Sequence, residues 1–177
     1  SLGVLYTLFG EGYYLPRLLQ AVAGTATCIL LFFLGRRAFS PAVGWLAAGL
    51  AALYGPFIYF EGELLPVGPA VFLNVLLLLV LLWAAQGKGA KGWFAAGLLL
   101  GLSGLLVPNV FLFIPVVFLW ALYFLPTSST AEAGIGFLQR PRPVQLAAFV
   151  LGLALMVAPV TLRNRIVGGE WVLVSHN

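Results

Sequence analysis

Long stretches without a single charge dominate this chain. Arg37 and Glu61 bracket one, Glu63 and Lys88 a second, and Arg142 and Arg163 a third. A helix needs about 20 apolar residues to cross a hydrocarbon core, and a soluble domain cannot hide that much continuous apolar surface from water. Charged residues make up 8% of the 177 residues and hydrophobic ones 62%, which excludes an ordinary soluble fold. The fold class expected is all-α: a polytopic transmembrane helical bundle of about six spans with a short interfacial helix at its N-terminus. A formal net charge of +4 is too small to indicate a nucleic-acid partner. Cys28 is the only cysteine and falls within a span, so neither a disulfide framework nor a thiolate metal site is expected.

Hydropathy and breaker residues place the spans at about 15–35, 42–60, 66–85, 93–107, 110–125 and 144–162. Residues 1–14 repeat Leu2, Leu5, Leu8 and Phe9 at helical spacing among tyrosines, but are too short to cross. They read as an interfacial segment, or as the end of an upstream domain. Pro41 and Pro66 fall at span starts, where a missing N–H costs little. As one helix, 93–125 would be roughly 50 Å long against a core of about 30 Å. Length therefore favours a helical hairpin turning at Pro108-Asn109, and Gly97, Gly101 and Gly104 allow close helix approach in its first leg. Residues 163–177 read as the start of an external loop, with a strand-like alternation in EWVLVSHN. The chain starts at Ser1 without a signal-peptide pattern and stops inside a polar segment, as expected of a piece of a longer protein.

Charge assigns the sides. Arg36, Arg37, Lys88, Lys91, Arg140 and Arg142 fall on one face and Arg17, Arg163 and Arg165 on the other. Glu11, Glu61, Glu63 and Glu170 share the second face, and Glu132 lies on the first. The richer basic face is cytoplasmic by the positive-inside rule. Trp45, Trp83, Trp93 and Trp120 then sit near the inner interface as an aromatic belt.

Polar side chains enter the spans mostly in the outer half. Arg17, Gln20, Gly24 and Thr27 fall on one helical face; Tyr54 and Glu61 are seven apart; Glu63, Val67, Ala70 and Asn74 fall on one face; Asn109 caps the hairpin turn; Arg163 and Asn164 close the last span. Polar groups in a bilayer are costly, so they face one another or a wet cavity. A cavity open to the outside, lined by Glu61, Glu63, Arg17 and Arg163 with Gln20, Asn74, Asn109 and Asn164, suits a phosphate-bearing ligand rich in hydroxyls. Arginine clamps phosphate, amides bond to sugar hydroxyls, and carboxylates accept protons or hold a divalent metal ion. Plainer readings stand beside each: headgroup-level charges for Glu61 and Glu63, stop signals for Arg163 and Arg165, an interhelical hydrogen bond for Asn74.

In order along the chain, RLLQAVAGTATCILLFFLGRRAF, FIYFEGELLPVGPAVFL, GLLLGLSGLLVPNVFLFIPVVF and APVTLRNRIVGGEWVLVSHN resemble the GT-C membrane glycosyltransferases. The closest branch is the protein-O-mannosyltransferase-like, aminoarabinose-transferase-like group. That resemblance implies helices two to seven of a seven-helix core. It also implies transfer of a sugar from a polyprenyl-phosphate carrier, with inversion, to an acceptor on the outer face of a bacterial inner membrane. The partners implied are the lipid bilayer and the lipid-linked donor. The family's catalytic aspartate lies at the outer end of the first helix. This sequence contains no aspartate, so the base is expected upstream and this piece alone is expected to be inactive. By the same resemblance Glu61 or Glu63 matches a second acidic position near the site, and Arg163-Asn164 opens an external loop. Where family members often carry a basic residue before the Pro-Asn turn, this chain has Val107. The alternatives are a polytopic transporter, which would place polar groups at the midplane and often show internal repeats, and a non-catalytic membrane scaffold.

Overall fold

The computed structural model describes residues 14–55, 67–87, 89–125, 138 and 140–168. Among these the elements are helices, with no strand. Four helices are long and apolar enough to cross a membrane: Arg17–Ala38, Val67–Ala85, Gly89–Leu106 and Pro143–Ile166. The chain forms two compact units, residues 1–75 and 76–177. The expected interfacial helix at 1–14 lies outside the described residues except for Tyr14, and the strand-like tail lies wholly outside them.

In the first unit, α1 (Tyr14–Ala38) and α2 (Pro41–Leu53) form a hairpin. Ser40 caps α2, its hydroxyl accepting from the Val43 N–H at 3.3 Å, and Pro41 follows at the first helical position, where its missing N–H is no loss. The legs close through glycine. A β-carbon on Gly35 would lie 2.9 Å from the Gly44 Cα, and one on Gly44 would lie 2.6 Å from the Phe32 carbonyl oxygen. Trp45 lies against Phe32, ring centroids 4.7 Å apart, yet is 70% exposed. Phe39 at the turn is 79% exposed, beside exposed Arg36 and Arg37.

One expectation is corrected here. The run 42–60 is not a single helix: α2 ends at Leu53, and Tyr54 is extended, with its N–H bonded back to Ala51 at 3.3 Å. The cause is local. Pro56 carries no N–H, and continuing the helix would drive its ring into the Ala52 carbonyl. The 13 residues of α2 reach ~20 Å, short of a hydrocarbon core of about 30 Å. With the helix broken at Tyr54, its spacing from Glu61 no longer defines a helical face.

The second unit is built on a glycine-cut crossing. The end of α3 (Val67–Ala85) turns into α4 (Gly89–Leu106) through Gly87 and Gly89, at φ 82° and 74°. That is left-handed backbone, which glycine adopts without steric cost. α4 buries Trp93, Ala96, Gly97, Leu100, Gly101, Ser103 and Gly104 on one face. Against it lies α6 (Pro143–Gly168). A β-carbon on Gly97 would collide with the Phe149 carbonyl oxygen and lie 3.0 Å from the Leu153 nitrogen. One on Gly101 would lie 2.7 Å from the Met156 Cβ. The partners advance together along both helices, so α4 and α6 run parallel.

Parallel helices joined in sequence require a return leg. It begins with a 3-10 turn at Pro108–Leu112, continues as α5 (Phe113–Leu119) and ends in a π-helical turn at Trp120–Phe124. Phe111 folds back so that its ring fills the space a Gly104 side chain would take. The Phe118 and Trp93 rings both pack edge-on against Phe149, at 5.9 and 6.4 Å. Those separations bound the Trp93–Phe118 distance at about 12 Å. One continuous helix would set the two ~38 Å apart. Residues 93–125 therefore form a hairpin. Trp93 departs from the sequence reading: it is 0% exposed, a core residue of this unit and not part of a lipid-facing belt. α6 departs too, since it continues through Arg163 and Asn164 to Gly168 and no external loop begins at 163. Arginine is a good helix former, and its charge does not stop a helix.

Both units leave large apolar side chains uncovered, among them Leu18, Val22, Leu50, Leu151 and Leu155. In water such a surface is a liability; against acyl chains it is the expected exterior of a membrane bundle.

Candidate functional site

The predicted site residues divide between the two units. Glu61 and Glu63 lie outside the described residues, as do Glu11, Glu132 and Glu170. In the first unit α1 turns Gln20 and Thr27 inward, at 8% and 3% exposure, with Gly24 half-buried between them and Arg17 exposed one turn before. The Thr27 hydroxyl donates to the Ala23 carbonyl at 2.8 Å. It is thus satisfied by its own helix, and the packed stripe of α1 needs no wet cavity to accommodate it. Asn74, on α3, is half-buried.

The second unit brings three of the predicted residues to one end. Gly101 faces Leu153 and Met156 across the parallel crossing. Beyond this crossing α4 runs to Leu106 and is followed by the 3-10 turn that holds Asn109, while α6 carries Arg163 and Asn164 ~11 Å past Met156. Asn164 continues the face of α6 that carries Phe149, Leu153, Met156 and Val160, and is half-buried. Arg163, one position round, is exposed. Asn109 is exposed in the 3-10 turn and does not cap it: the capping position is Val107, which makes no side-chain hydrogen bond. The turn is held instead by Val107 N–H to the Ser103 carbonyl at 2.9 Å and by the Phe111 ring on Gly104. Just below, Pro159 removes one backbone donor from α6, and the Thr161 hydroxyl donates to the Val157 carbonyl at 3.1 Å.

This end presents an arginine, two amides and apolar walls. A guanidinium holds a phosphate by paired hydrogen bonds, and carboxamides both donate to and accept from sugar hydroxyls. Among the described residues no three of His, Cys, Asp and Glu come together; the acidic pair Glu61 and Glu63 lies outside them.

Comparison with known families gives the class: membrane-embedded glycosyltransferases of GT-C type. The family model described as dolichyl-phosphate-mannose-protein mannosyltransferase matches residues 2–138, most of the chain. The chain belongs to that family and is a mannosyltransferase-type membrane glycosyltransferase. The match ends before α6, which carries Arg163 and Asn164. No curated protein and no solved structure matches the chain.

Proposed function

We propose that this chain carries the donor-handling part of an enzyme that transfers a sugar from a polyprenyl-phosphate carrier to an acceptor at the outer face of the membrane. Family membership supports the reaction class. The observation that carries the residue-level reading is the parallel α4–α6 crossing, which holds Asn109, Arg163 and Asn164 at the same end of one unit. In this reading Arg163 holds the carrier phosphate, and the amides of Asn109 and Asn164 contact sugar or acceptor hydroxyls. In the first unit, taken by itself, Arg17 is proposed as a phosphate contact and Gln20 and Asn74 as contacts to sugar or acceptor hydroxyls.

The chemistry follows from that placement. A carboxylate takes the proton of the acceptor hydroxyl, the oxygen attacks the anomeric carbon from the face opposite the phosphate, and the carbon inverts. Polyprenyl phosphate leaves with the bonding pair, and the nearby guanidinium stabilises its growing negative charge. The sequence contains no aspartate, so the base is proposed to be an aspartate outside it. Glu61 and Glu63 are proposed as a second acidic position, for acceptor or divalent cation; no step is drawn through a metal.

The test is sugar transfer in the intact enzyme after replacing Glu61, Glu63 and Arg163 with alanine one at a time. Loss of transfer in at least one variant, at unchanged expression, is expected. Full activity in all three refutes the assignment.

A further inference from the structure

We propose that the opposite end of the second unit, where α4 and α6 begin, is a docking surface for anionic phospholipid headgroups. The parallel crossing puts both helix starts at one end, and three cations gather there. Lys91 is exposed in the first turn of α4, and Arg140 and Arg142 are exposed in the segment leading into α6.

The arginines are held in place. Leu138 is 5% exposed and belongs to the unit's apolar core, and Pro141 is buried between the two arginines. The segment is therefore pinned by its apolar residues and presents Arg140 and Arg142 outward. The Arg142 N–H donates to the Gln145 side-chain oxygen at 2.7 Å, and the Arg142 carbonyl accepts from the Gln145 N–H at 2.9 Å, which fixes the backbone at that arginine. Two helix N-termini add the positive ends of their dipoles. Among the described residues no carboxylate lies beside these cations.

The surroundings select a bilayer over a soluble anion. Trp83 lies beside Gly92, 3.3 Å from where a β-carbon on that glycine would stand, and is partly exposed. Val144 and Leu151 are exposed on α6 just beyond the arginines. Cations, an indole and then an apolar wall are the sequence of groups met when crossing from headgroups to acyl chains. Each basic residue near an anionic surface strengthens binding about fivefold.

The test uses the intact protein in neutral detergent, titrated with phosphatidylglycerol or phosphatidylcholine brominated on the acyl chains, which quench tryptophan on contact. Phosphatidylglycerol is expected to quench at more than tenfold lower concentration. K91Q/R140Q/R142Q is expected to lose that preference by about fivefold per charge, and K91R/R140K/R142K to keep it. Should the glutamine variant fail to fold, the wild type in 0.5 M NaCl is expected to lose most of the preference with its helicity unchanged. Equal quenching by the two lipids, a preference that survives charge removal or salt, or full competition by soluble glycerophosphoglycerol overturns the proposal, the last by reducing the surface to a soluble-anion site.

Discussion

Gly97→Ala is the sharpest probe of the architecture. The new methyl would strike the Phe149 carbonyl oxygen and crowd the Phe149 carbonyl carbon at 2.9 Å and the Leu153 nitrogen at 3.0 Å. All three are backbone atoms of α6 and cannot rotate aside, so the two helices must part. Overpacking costs about 1–3 kcal/mol, and contact with fixed backbone puts this site in the upper part of that range, about 2–3 kcal/mol. Alanine's better helix propensity returns up to ~1 kcal/mol, leaving a net loss of about 1–2 kcal/mol. Gly49→Ala is the control: nothing lies within 4 Å of its β-carbon position, so only the propensity gain operates. For a chain of this size each kcal/mol moves the midpoint by ~2–4 °C. In one detergent and at one scan rate, Gly97→Ala is expected to unfold roughly 2–8 °C below the wild type, with Gly49→Ala at or above it. If the two variants unfold together, α4 and α6 do not cross through Gly97 and the parallel arrangement fails with it.

Phe149 is fully buried against Trp93 and Phe118, so Phe149→Ala should cost about 3–5 kcal/mol and remove most of the folded fraction from detergent extracts. Arg163→Lys keeps the charge but loses the paired hydrogen bonds; transfer by the intact enzyme is expected to fall on the order of tenfold, less than in Arg163→Gln, and equal loss in both would mean that charge alone does not act there. If Glu61 and Glu63 hold a divalent cation, chelation should abolish transfer and magnesium or manganese restore it. Activity indifferent to chelator assigns the pair to the acceptor.

Much of the bundle was legible because a membrane imposes length. The runs around Leu18–Leu34, Phe72–Leu82 and Val144–Leu162 could only be helices, and 93–125 was too long for one crossing. The packing behind that hairpin was not legible. Lipid and protein core are both apolar, so hydropathy cannot tell exposed Leu151 from buried Leu100, nor mark Trp93 as core. The early end of α2 had its signal in Gly55-Pro56, outweighed by apolar residues on both sides. The extension of α6 through Arg163 had none, because loops and helix ends are equally arginine-rich at an interface. Of the site, the order of the EGEL and Pro-Asn motifs led to the right family. The shared end of Asn109 and Asn164 needed the register of two helices, which one sequence does not contain.

The most direct measurement is photocrosslinking of the intact enzyme with a diazirine-bearing polyprenyl-phosphate sugar, adducts mapped by mass spectrometry and competed with unlabelled carrier. Competed adducts are expected on the peptides holding Asn109 or Arg163. Competed adducts confined to the end marked by Lys91 and Arg142 would contradict the placement of the donor.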